Sequence, residues 1–374
     1  MIPTSLYIHL PWCIKKCPYC DFNAHPLKQD THFGQYIDRL VADLHTHADI
    51  LSTRPLHSIF IGGGTPSLFS ATELSPIFTA LRQYQPIDDI EITIEANPGT
   101  QDAGYYSGYR ELGINRISIG GQSFNSQMLT QLGRIHNGEK THLAILQAQS
   151  AGFDRVNLDI MYGLPQQTTE QAIEDLQRFL SYKLEHLSWY QLNIEANTLF
   201  AVTKPQLPND ETIDEMDRIG SKLLTDNGFK QYEISAWTQN LPSQHNLNYW
   251  HFGDYLGIGC GAHSKITTPA PFTATRTIKH KHPNQYLQNL VQHQESISES
   301  DMILEYCINH FRTNQPLELA LFEQRSGLDK SRLIAKLQNA ESQGLVTISP
   351  NKVTLTRLGF NHHNSLCLSL VEFS

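Results

Sequence analysis

Residues 7–23 read YIHLPWCIKKCPYCDFN, and this stretch near the start of the chain decides the fold. It places Cys13, Cys17 and Cys20 in a CxxxCxxC pattern, directly after an apolar run that predicts a strand at residues 6–10. A 4Fe-4S cluster used only for electron transfer takes four cysteine ligands. Three cysteines therefore predict a cluster with one iron open to an exchangeable ligand, as catalytic metal sites keep one position open.

Three alternatives to a cluster remain open for these cysteines. They are a chance grouping, a disulfide pair with one spare thiol, and a zinc site completed by His9 or His25. The residues around the cysteines favour the cluster, because they match a known family as well as the spacing does.

That match is to the cluster loop of radical S-adenosylmethionine proteins. Within them, the stretch resembles the oxygen-independent coproporphyrinogen III oxidase-like family, and most of all its heme chaperone branch. The resemblance implies that the three cysteines hold three irons and that S-adenosylmethionine chelates the fourth. An electron from the cluster can then cleave this cofactor to a 5'-deoxyadenosyl radical, while the protein supplies positioning and exclusion of water.

Length and composition predict a soluble chain with one substantial core and a smaller appended domain, since it has 374 residues of which 40% are hydrophobic. No apolar run approaches the ~20 residues of a membrane helix. The first residues lack the basic and apolar regions of a signal peptide, so we expect a cytoplasmic location. Cys260, Cys307 and Cys367 show no ligand spacing and are expected to be free and buried.

The first two thirds of the chain alternate short apolar strands with helical patterns, which predicts an α/β fold with a parallel sheet. Polar and glycine-rich segments follow the predicted strands, where a βα barrel carries its active site. A doubly wound sheet would place ligands in the same way, but the resemblance implies the partial (βα)6 barrel of radical S-adenosylmethionine proteins. The predicted strands are residues 6–10, 58–61, 90–95, 116–120, 155–161 and 187–193, and the predicted helices 34–51, 72–84, 139–151 and 170–182.

We expect three regions along the chain. Residues 1–235 would form the barrel with its cluster loop, residues 236–299 a connecting region, and residues 300–374 a small helical, winged-helix-like domain. Winged helices often bind DNA, but this region carries seven basic and seven acidic residues and the whole chain a net charge of −9. We therefore predict no nucleic-acid partner and a packing or gating role for the last region.

Polar residues at the predicted strand ends are candidates for S-adenosylmethionine contacts. The run GGGTP could bring backbone close to a ligand or form an ordinary tight turn, and a buried carboxylate such as Glu95 needs a partner. Arg134 and Asp159 would suit a zwitterionic ligand, or they would form a salt bridge with each other. Tyr7 and Tyr19 would shield the cluster or serve as core aromatics. The resemblance implies contacts for Tyr7, Tyr19, Gly63, Gly64, Thr65, Glu95, Gln122, Arg134 and Asp159, the last three matching positions that hold a second S-adenosylmethionine in the oxidase branch.

A second distinctive run, HNLNYW at residues 245–250, resembles the HNxxYW signature of the heme chaperone branch. It would combine His245 as an axial iron ligand with Tyr249 and Trp250 covering a porphyrin face. His251 is an alternative ligand. Without the resemblance, the run would pass as a polar loop with a structural histidine.

Two departures argue against decarboxylation of coproporphyrinogen III. Phe22 stands where the oxidases of this family carry a further cysteine, and the chain enters its first strand by Leu6 without their N-terminal extension. The expected function is a heme chaperone that transfers heme to acceptors such as respiratory enzymes, with an electron donor for the cluster. Acceptors would bring peripheral membrane contact, and the open iron would allow a homodimer. The alternative is a radical enzyme acting on a porphyrinogen or another small substrate.

Overall fold

A single twelve-stranded sheet organises the computed structural model, which describes residues 2–99 and 103–371. The described strands are β1 Thr4–Leu10, β2 Trp12–Cys13, β3 His25–Pro26, β4 Leu56–Gly63, β5 Glu91–Ala96, β6 Arg116–Gln122, β7 Arg155–Tyr162, β8 His186–Gln191, β9 Lys230–Glu233, β10 Ala236–Thr238, β11 Asp254–Ile258, β12 His263–Pro269, β13 Phe272–Lys279, β14 Val291–Ser296, β15 Leu317–Glu318, β16 Val346–Ile348 and β17 Lys352–Leu355.

Helices connect most of these strands and also form the end of the chain. The described helices are α1 Phe33–His45, α2 Ala48–Thr53, α3 Ala71–Arg82, α4 Ala103–Leu112, α5 Ser126–Gln131, α6 Gly138–Ser150, α7 Thr169–Ser181, α8 Leu199–Thr203, α9 Asp210–Asp226, α10 Gln244–Trp250, α11 Pro283–Gln288, α12 Glu299–His310, α13 Leu319–Ser326, α14 Lys330–Ser342, α15 Arg357–Asn361 and α16 His363–Ser369, with a 3₁₀ turn at Pro66–Leu68.

Six parallel strands in the order β1, β4, β5, β6, β7 and β8 form the centre of the sheet. They correspond to the six predicted strands, so the α/β prediction with a partial barrel is confirmed. The sheet is not closed, because β14 forms one edge and β9 the other. The carboxyl ends of the six strands meet on one side of the sheet, as parallel strands require.

Alternate residues along the strands face opposite sides of the sheet, one side packing in the hydrophobic core and the other lining the cavities. In β1, Leu6, Ile8 and Leu10 are fully buried in the main hydrophobic core, while the intervening Tyr7 and His9 contribute to a cavity wall. Side chains cap the start of helix α3, where Ser70 and Glu73 form a capping box. Local sequence and burial thus agree on where the layers lie.

The structure differs from the sequence-based expectation in three places. The helix predicted at residues 34–51 is two helices, α1 and α2, and the Thr46 hydroxyl between them donates to the carbonyl of Asp43 at 2.6 Å. The run at 245–250 is the helix α10 and not a loop, capped by Ser243. The region after it extends the sheet by β11, parallel to β1, and then by the antiparallel β12, β13 and β14.

The last part of the chain forms a helical domain with a small three-stranded sheet in the order β15, β17, β16. Its core, built around Tyr306 and Phe322, also takes in Phe252 and Ala274 from the preceding region. An isolated bridge between Glu233 and Thr313 ties the domain to the far edge of the large sheet. Within the described residues, no helix is long and apolar enough to cross a membrane.

Candidate functional site

A cavity of about 300 Å³ opens at the carboxyl ends of the central strands. This volume lies at the lower end of the range of small-molecule sites, ~300–1,000 Å³. Almost every residue predicted to bind the cluster or S-adenosylmethionine lines it. These residues are Cys13, Cys17, Cys20, Tyr19, Gly63, Gly64, Thr65, Glu95, Gln122, Arg134 and Asp159.

Backbone hydrogen bonds fix the start of the cluster loop against the neighbouring strand. The Thr65 N–H donates to the carbonyl of Trp12 at 2.7 Å, and the Leu27 N–H donates to the carbonyl of Cys13 at 2.8 Å. A turn brings the Cys20 N–H to the carbonyl of Cys17 at 3.1 Å. Burial, together with the neighbouring thiols, raises the pKa of Cys13 to about 11, so iron binding at this sulfur would displace a proton.

The contacts of the nearby histidines bear on the zinc alternative. The two ring nitrogens of His9 are within 2.9 Å of the Tyr7 hydroxyl and of the Asn23 carbonyl. Among the described residues, no three His, Cys, Asp or Glu side chains meet around a single ion position. A 4Fe-4S cluster does not require such a meeting, since each thiolate binds a different iron. The donor set of three thiols therefore suits the cluster, and His9 is committed elsewhere.

The glycines after β4 allow the backbone to approach the cluster loop. Gly63 has φ +123°, and a Cβ there would lie 2.7 Å from the ring of His9. A Cβ on Gly64 would lie 2.5 Å from the carbonyl oxygen of Trp12. The amides of both glycines already donate within the protein, to the Glu95 carboxylate at 3.0 Å and to the Leu10 carbonyl at 2.8 Å. These glycines shape the cavity wall, and their contact with S-adenosylmethionine stays a prediction.

Two carboxyl groups, Glu95 and Asp159, line the cavity, and neither forms an ion pair among the described residues. Burial raises the pKa of Glu95 to about 8, and the nearby Asp159 contributes in the same direction. Among the described residues, Glu95 accepts one hydrogen bond, from the backbone N–H of Gly63. Burial also raises the pKa of Asp159, although Ser188 and Asn157 donate to it. A cationic ligand would stabilise both carboxylates.

Arg134 brings the positive charge of the cavity next to the cluster loop. Its Nη2 donates to the side-chain oxygen of Asn97 at 2.7 Å and to the carbonyl of Gly120 at 2.8 Å, and its Nη1 lies 3.7 Å from the sulfur of Cys17. No ion pair joins Arg134 to Asp159 in the described part of the chain. The alternative interpretation, an internal salt bridge between these two residues, is therefore wrong.

Two buried polar atoms of the cavity residues have no hydrogen-bond partner among the described residues. They are the Nε of Arg134 and the Oε1 of Gln122. Gln122 ends β6 with φ +59°, a strained conformation that places it at the cavity. A donor and an acceptor left open beside two carboxylates fit a ligand that is itself both donor and acceptor, as an amino acid moiety is.

The predicted heme residues on α10 do not face one common surface. His245 is 2% exposed, its Nδ1 lies 2.9 Å from the Ser58 hydroxyl, and its ring stacks on Phe60. Trp250 donates to Glu233, and the guanidinium of Arg312 lies 4.5 Å from the centre of its ring. Burial lowers the pKa of His245 to about 3. The structure therefore places His245 inside the barrel and Trp250 against the C-terminal domain.

Tyr249 lines a second cavity, of about 400 Å³, which we call the tyrosine groove. The groove is next to the first cavity, with which it shares Phe22, Gly63 and Glu95. It contains the predicted Tyr7 and several residues that sequence reasoning missed. The full lining is Tyr7, His9, Phe22, Asn23, Gly63, Glu95, Tyr249, Tyr255, Gly261, Ala262 and His263.

The residues missed from the sequence differ in how they could have been found. Asn97 follows β5 two places after Glu95, and its amide bonds Thr65 at 2.8 Å as well as Arg134. Its position at a strand end was the same signal that selected Glu95. Tyr255 and His263 belong to β11 and β12, which the sequence pattern did not reveal as strands.

Comparisons with known proteins identify the family of this chain. Residues 7–180 match the model of the radical SAM superfamily, and residues 297–361 match the HemN C-terminal domain. The chain is 44% identical to "Heme chaperone HemW" of Haemophilus influenzae, covering 96% of this chain and 95% of the relative. It is 42% identical to "Heme chaperone HemW" of Escherichia coli, covering 97% of each.

A solved structure has the same fold. Coproporphyrinogen III oxidase (HemN) from Escherichia coli, a radical SAM enzyme, superposes with a TM-score of 0.83 over 100% of this chain and 91% of that chain, at 24% sequence identity. At this identity, the likeness supports the fold alone.

Proposed function

The chain belongs to the radical SAM superfamily and, within it, to the family of proteins named heme chaperone HemW, and from this premise we propose that it binds heme and transfers it to acceptor proteins. One observation of the structure carries the proposal. Tyr249 of the HNLNYW run lines a groove that shares Phe22, Gly63 and Glu95 with the cavity of the three cysteines. A heme site and a cofactor site would therefore be neighbours.

Membership of the radical SAM superfamily implies a 4Fe-4S cluster and S-adenosylmethionine. We assign the cluster to Cys13, Cys17 and Cys20, which line one cavity together. When bound, these cofactors supply one-electron chemistry at the sulfonium. The protein's own groups hold the ligand: Glu95 and Asp159 attract its positive charge, while Arg134 and Gln122 offer an unpaired donor and acceptor.

We assign α10 to the heme site, with Tyr249 facing the groove, His245 behind it and Trp250 at the end of the helix. The Tyr249 ring meets those of His245 and Tyr255 edge-on, with centroids 5.0 Å and 4.7 Å apart. Trp250 links the same helix to Arg312. A movement of Tyr249 on ligand binding would therefore be transmitted to His245 at the start of α10 and to Trp250 at its end.

The partners follow from the same proposal. Heme-accepting proteins, respiratory enzymes among them, would receive the heme, and an electron donor would serve the cluster. Two copies would be able to pair through the open iron. The acidic net charge of −9 does not favour nucleic acid.

The test is an anaerobic heme titration of the cluster-reconstituted chain, followed by absorption spectroscopy and by transfer to an apo-acceptor. We expect stoichiometric binding, weakened in His245→Ala because Tyr249 loses its support. No heme binding by the unmodified chain would contradict the proposal. The test of the alternative is then 5'-deoxyadenosine formation with a porphyrinogen under reducing conditions.

A further inference from the structure

We infer that heme occupies the tyrosine groove and that His263 is its iron ligand; this inference rests on the proposed function and specifies where its cargo binds. The groove is part of the open side of the barrel, where β1 pairs with β11 and β11 with β12. At about 400 Å³ it holds one small molecule with part of its edge exposed.

Two other histidines lie near the groove. His245 forms no part of the groove wall: its Nδ1 contacts the Ser58 hydroxyl and its ring stacks on Phe60, while its Nε2 has no hydrogen-bond partner among the described residues. His9 does line the groove, but the Tyr7 hydroxyl and the Asn23 carbonyl engage both of its ring nitrogens. Iron binding by His9 would break one of these contacts, and His245 lies outside the groove wall.

His263 is different, because its side chain is exposed. It is the first residue of β12, where its backbone pairs with Ile278 of β13, so a strand and not a flexible loop holds it at the groove. Among the described residues its imidazole forms no hydrogen bond and no ion pair, so a ring nitrogen is free for a metal.

The walls of the groove suit a flat, apolar ring system. Tyr7, Tyr249 and Tyr255 supply aromatic surface, and Phe22 stands 61% exposed at the mouth that the groove shares with the cofactor cavity. Aromatic side chains bury large apolar areas and keep a fixed orientation. Phe22 therefore gains a partner when a porphyrin enters.

Heme also carries propionate carboxylates, and Lys281, next to the groove residue Asn23, is a candidate cation for them. Lys281 is exposed, and its ammonium forms no ion pair within the described part of the chain. Its carbonyl accepts from the side chain of Asn23, a groove residue, at 2.9 Å. The backbone of Lys281 is thus held beside the groove, from which its side chain extends into solvent. Arg276 is already occupied by Glu305 at 2.6 Å.

In this arrangement His245 is a positioning residue. Its ring packs edge-on against the ring of Tyr249. Its backbone N–H donates to the Glu91 carboxylate at 3.0 Å, which fixes the start of α10. Loss of its side chain would loosen one wall of the groove but leave the iron ligand in place. The two histidines thus have separable effects on the bound heme.

The experiment compares His263→Ala, His245→Ala and the control His32→Ala, an exposed histidine that lines neither cavity. Cluster-loaded full-length protein is titrated with ferric heme, and electron paramagnetic resonance reports the ligand. We expect His263→Ala to lose the histidine signature and at least ten-fold in affinity, with the signature restored by free imidazole. His245→Ala should keep the signature with weaker binding, and Lys281→Ala should lose about three-fold in affinity.

The outcomes separate the two proposals. If His263→Ala binds heme with the unmodified signature and affinity, the ligand assignment is overturned while the chaperone function stands. If the unmodified chain and the His32→Ala control bind no heme at all, the proposed function fails. A signature lost in His245→Ala but kept in His263→Ala would move the ligand to α10 and contradict the inference.

Discussion

Asp43 and Glu95 are both carboxylates placed against the same sheet, yet their surroundings are opposite. Asp43, on α1, is fully buried and accepts from Lys279 at 2.5 Å and from Tyr286 at 2.7 Å. Burial alone would raise its pKa, but His47, Lys279 and Tyr286 more than offset this, and the pKa is lowered. Glu95 has one hydrogen-bond donor in the described part of the chain, the Gly63 N–H, and burial raises its pKa to about 8.

The difference distinguishes a carboxylate that stabilises the fold from a carboxylate whose charge is unsatisfied until a ligand binds. A buried carboxylate with several donors has its charge satisfied by the protein itself. A carboxylate with one donor and a second carboxylate nearby is costly until a cation arrives. The cavity at the strand ends holds carboxylates whose charges the protein leaves largely unsatisfied, which is typical of functional sites.

The thiols provide the largest expected contrast between the two kinds of region. Cys17 lines the cavity, while Cys367 lies in the C-terminal domain away from it. We expect Cys17→Ala to lose the reconstituted cluster completely, because only two of its three ligands would remain. Cys367→Ala should keep the full iron content. Iron and sulfide analysis measures both, and equal iron in the two variants would contradict the cluster assignment.

Removing the cation of Asp43 should have the next largest effect. Lys279 is 1% exposed, so Lys279→Met leaves a buried charge without its partner and should lower the free energy of unfolding by about 3–5 kcal/mol. In the control, Lys222→Met breaks an exposed pair with Asp226 and should cost less than about 1 kcal/mol. Urea denaturation followed by fluorescence measures the two. A loss at Lys279 no larger than the control would show that Asp43 is not held by this contact.

At Glu95 the expected effect on stability has the opposite sign. Its pKa is raised in the folded chain, so its contribution is present below the unfolded value of 4.5 and is lost as the pH rises towards about 8. The full shift would correspond to about 4–5 kcal/mol. Glu95 is partly exposed to the cavity, which reduces the expectation to roughly 1–3 kcal/mol.

Glu95→Gln should therefore flatten the decline in stability between pH 5 and pH 8 in the absence of S-adenosylmethionine. Denaturation of both proteins across this range measures the difference, in which the other titrating groups cancel. Parallel pH profiles for the two proteins would mean that Glu95 ionises freely in the empty cavity.

Much of the fold and of the cofactor cavity could be predicted from the sequence. Short apolar runs such as β5 and β7 fix six strands, because a strand buried on both faces reads as a continuous run. The family resemblance identified the CxxxCxxC cysteines and the strand-end residues as candidate cofactor ligands. The structure brings these residues together in one cavity. Their contacts with cofactors stay predictions.

The region after residue 243 could not be predicted in the same way. β11 contains Gly257 within the glycine-rich run 253–261, and this composition is typical of a turn. The structure requires the glycine because a Cβ there would lie 2.1 Å from the carbonyl oxygen of His263. β12 carries Lys265, a buried cation that pairs at 3.0 Å with Asp254 of the neighbouring strand β11. Such pairing depends on tertiary contacts that no local pattern shows, and His263 was missed for that reason.

The most direct test of the account is the affinity of the cluster-loaded chain for S-adenosylmethionine, measured by anaerobic calorimetry for the unmodified protein and for Glu95→Gln. If Glu95 is reserved for a cationic ligand, the variant should bind at least ten-fold more weakly, about 1.4 kcal/mol, while remaining at least as stable at pH 8. Unchanged affinity together with reduced stability would contradict the account, because Glu95 would then serve the fold as Asp43 does.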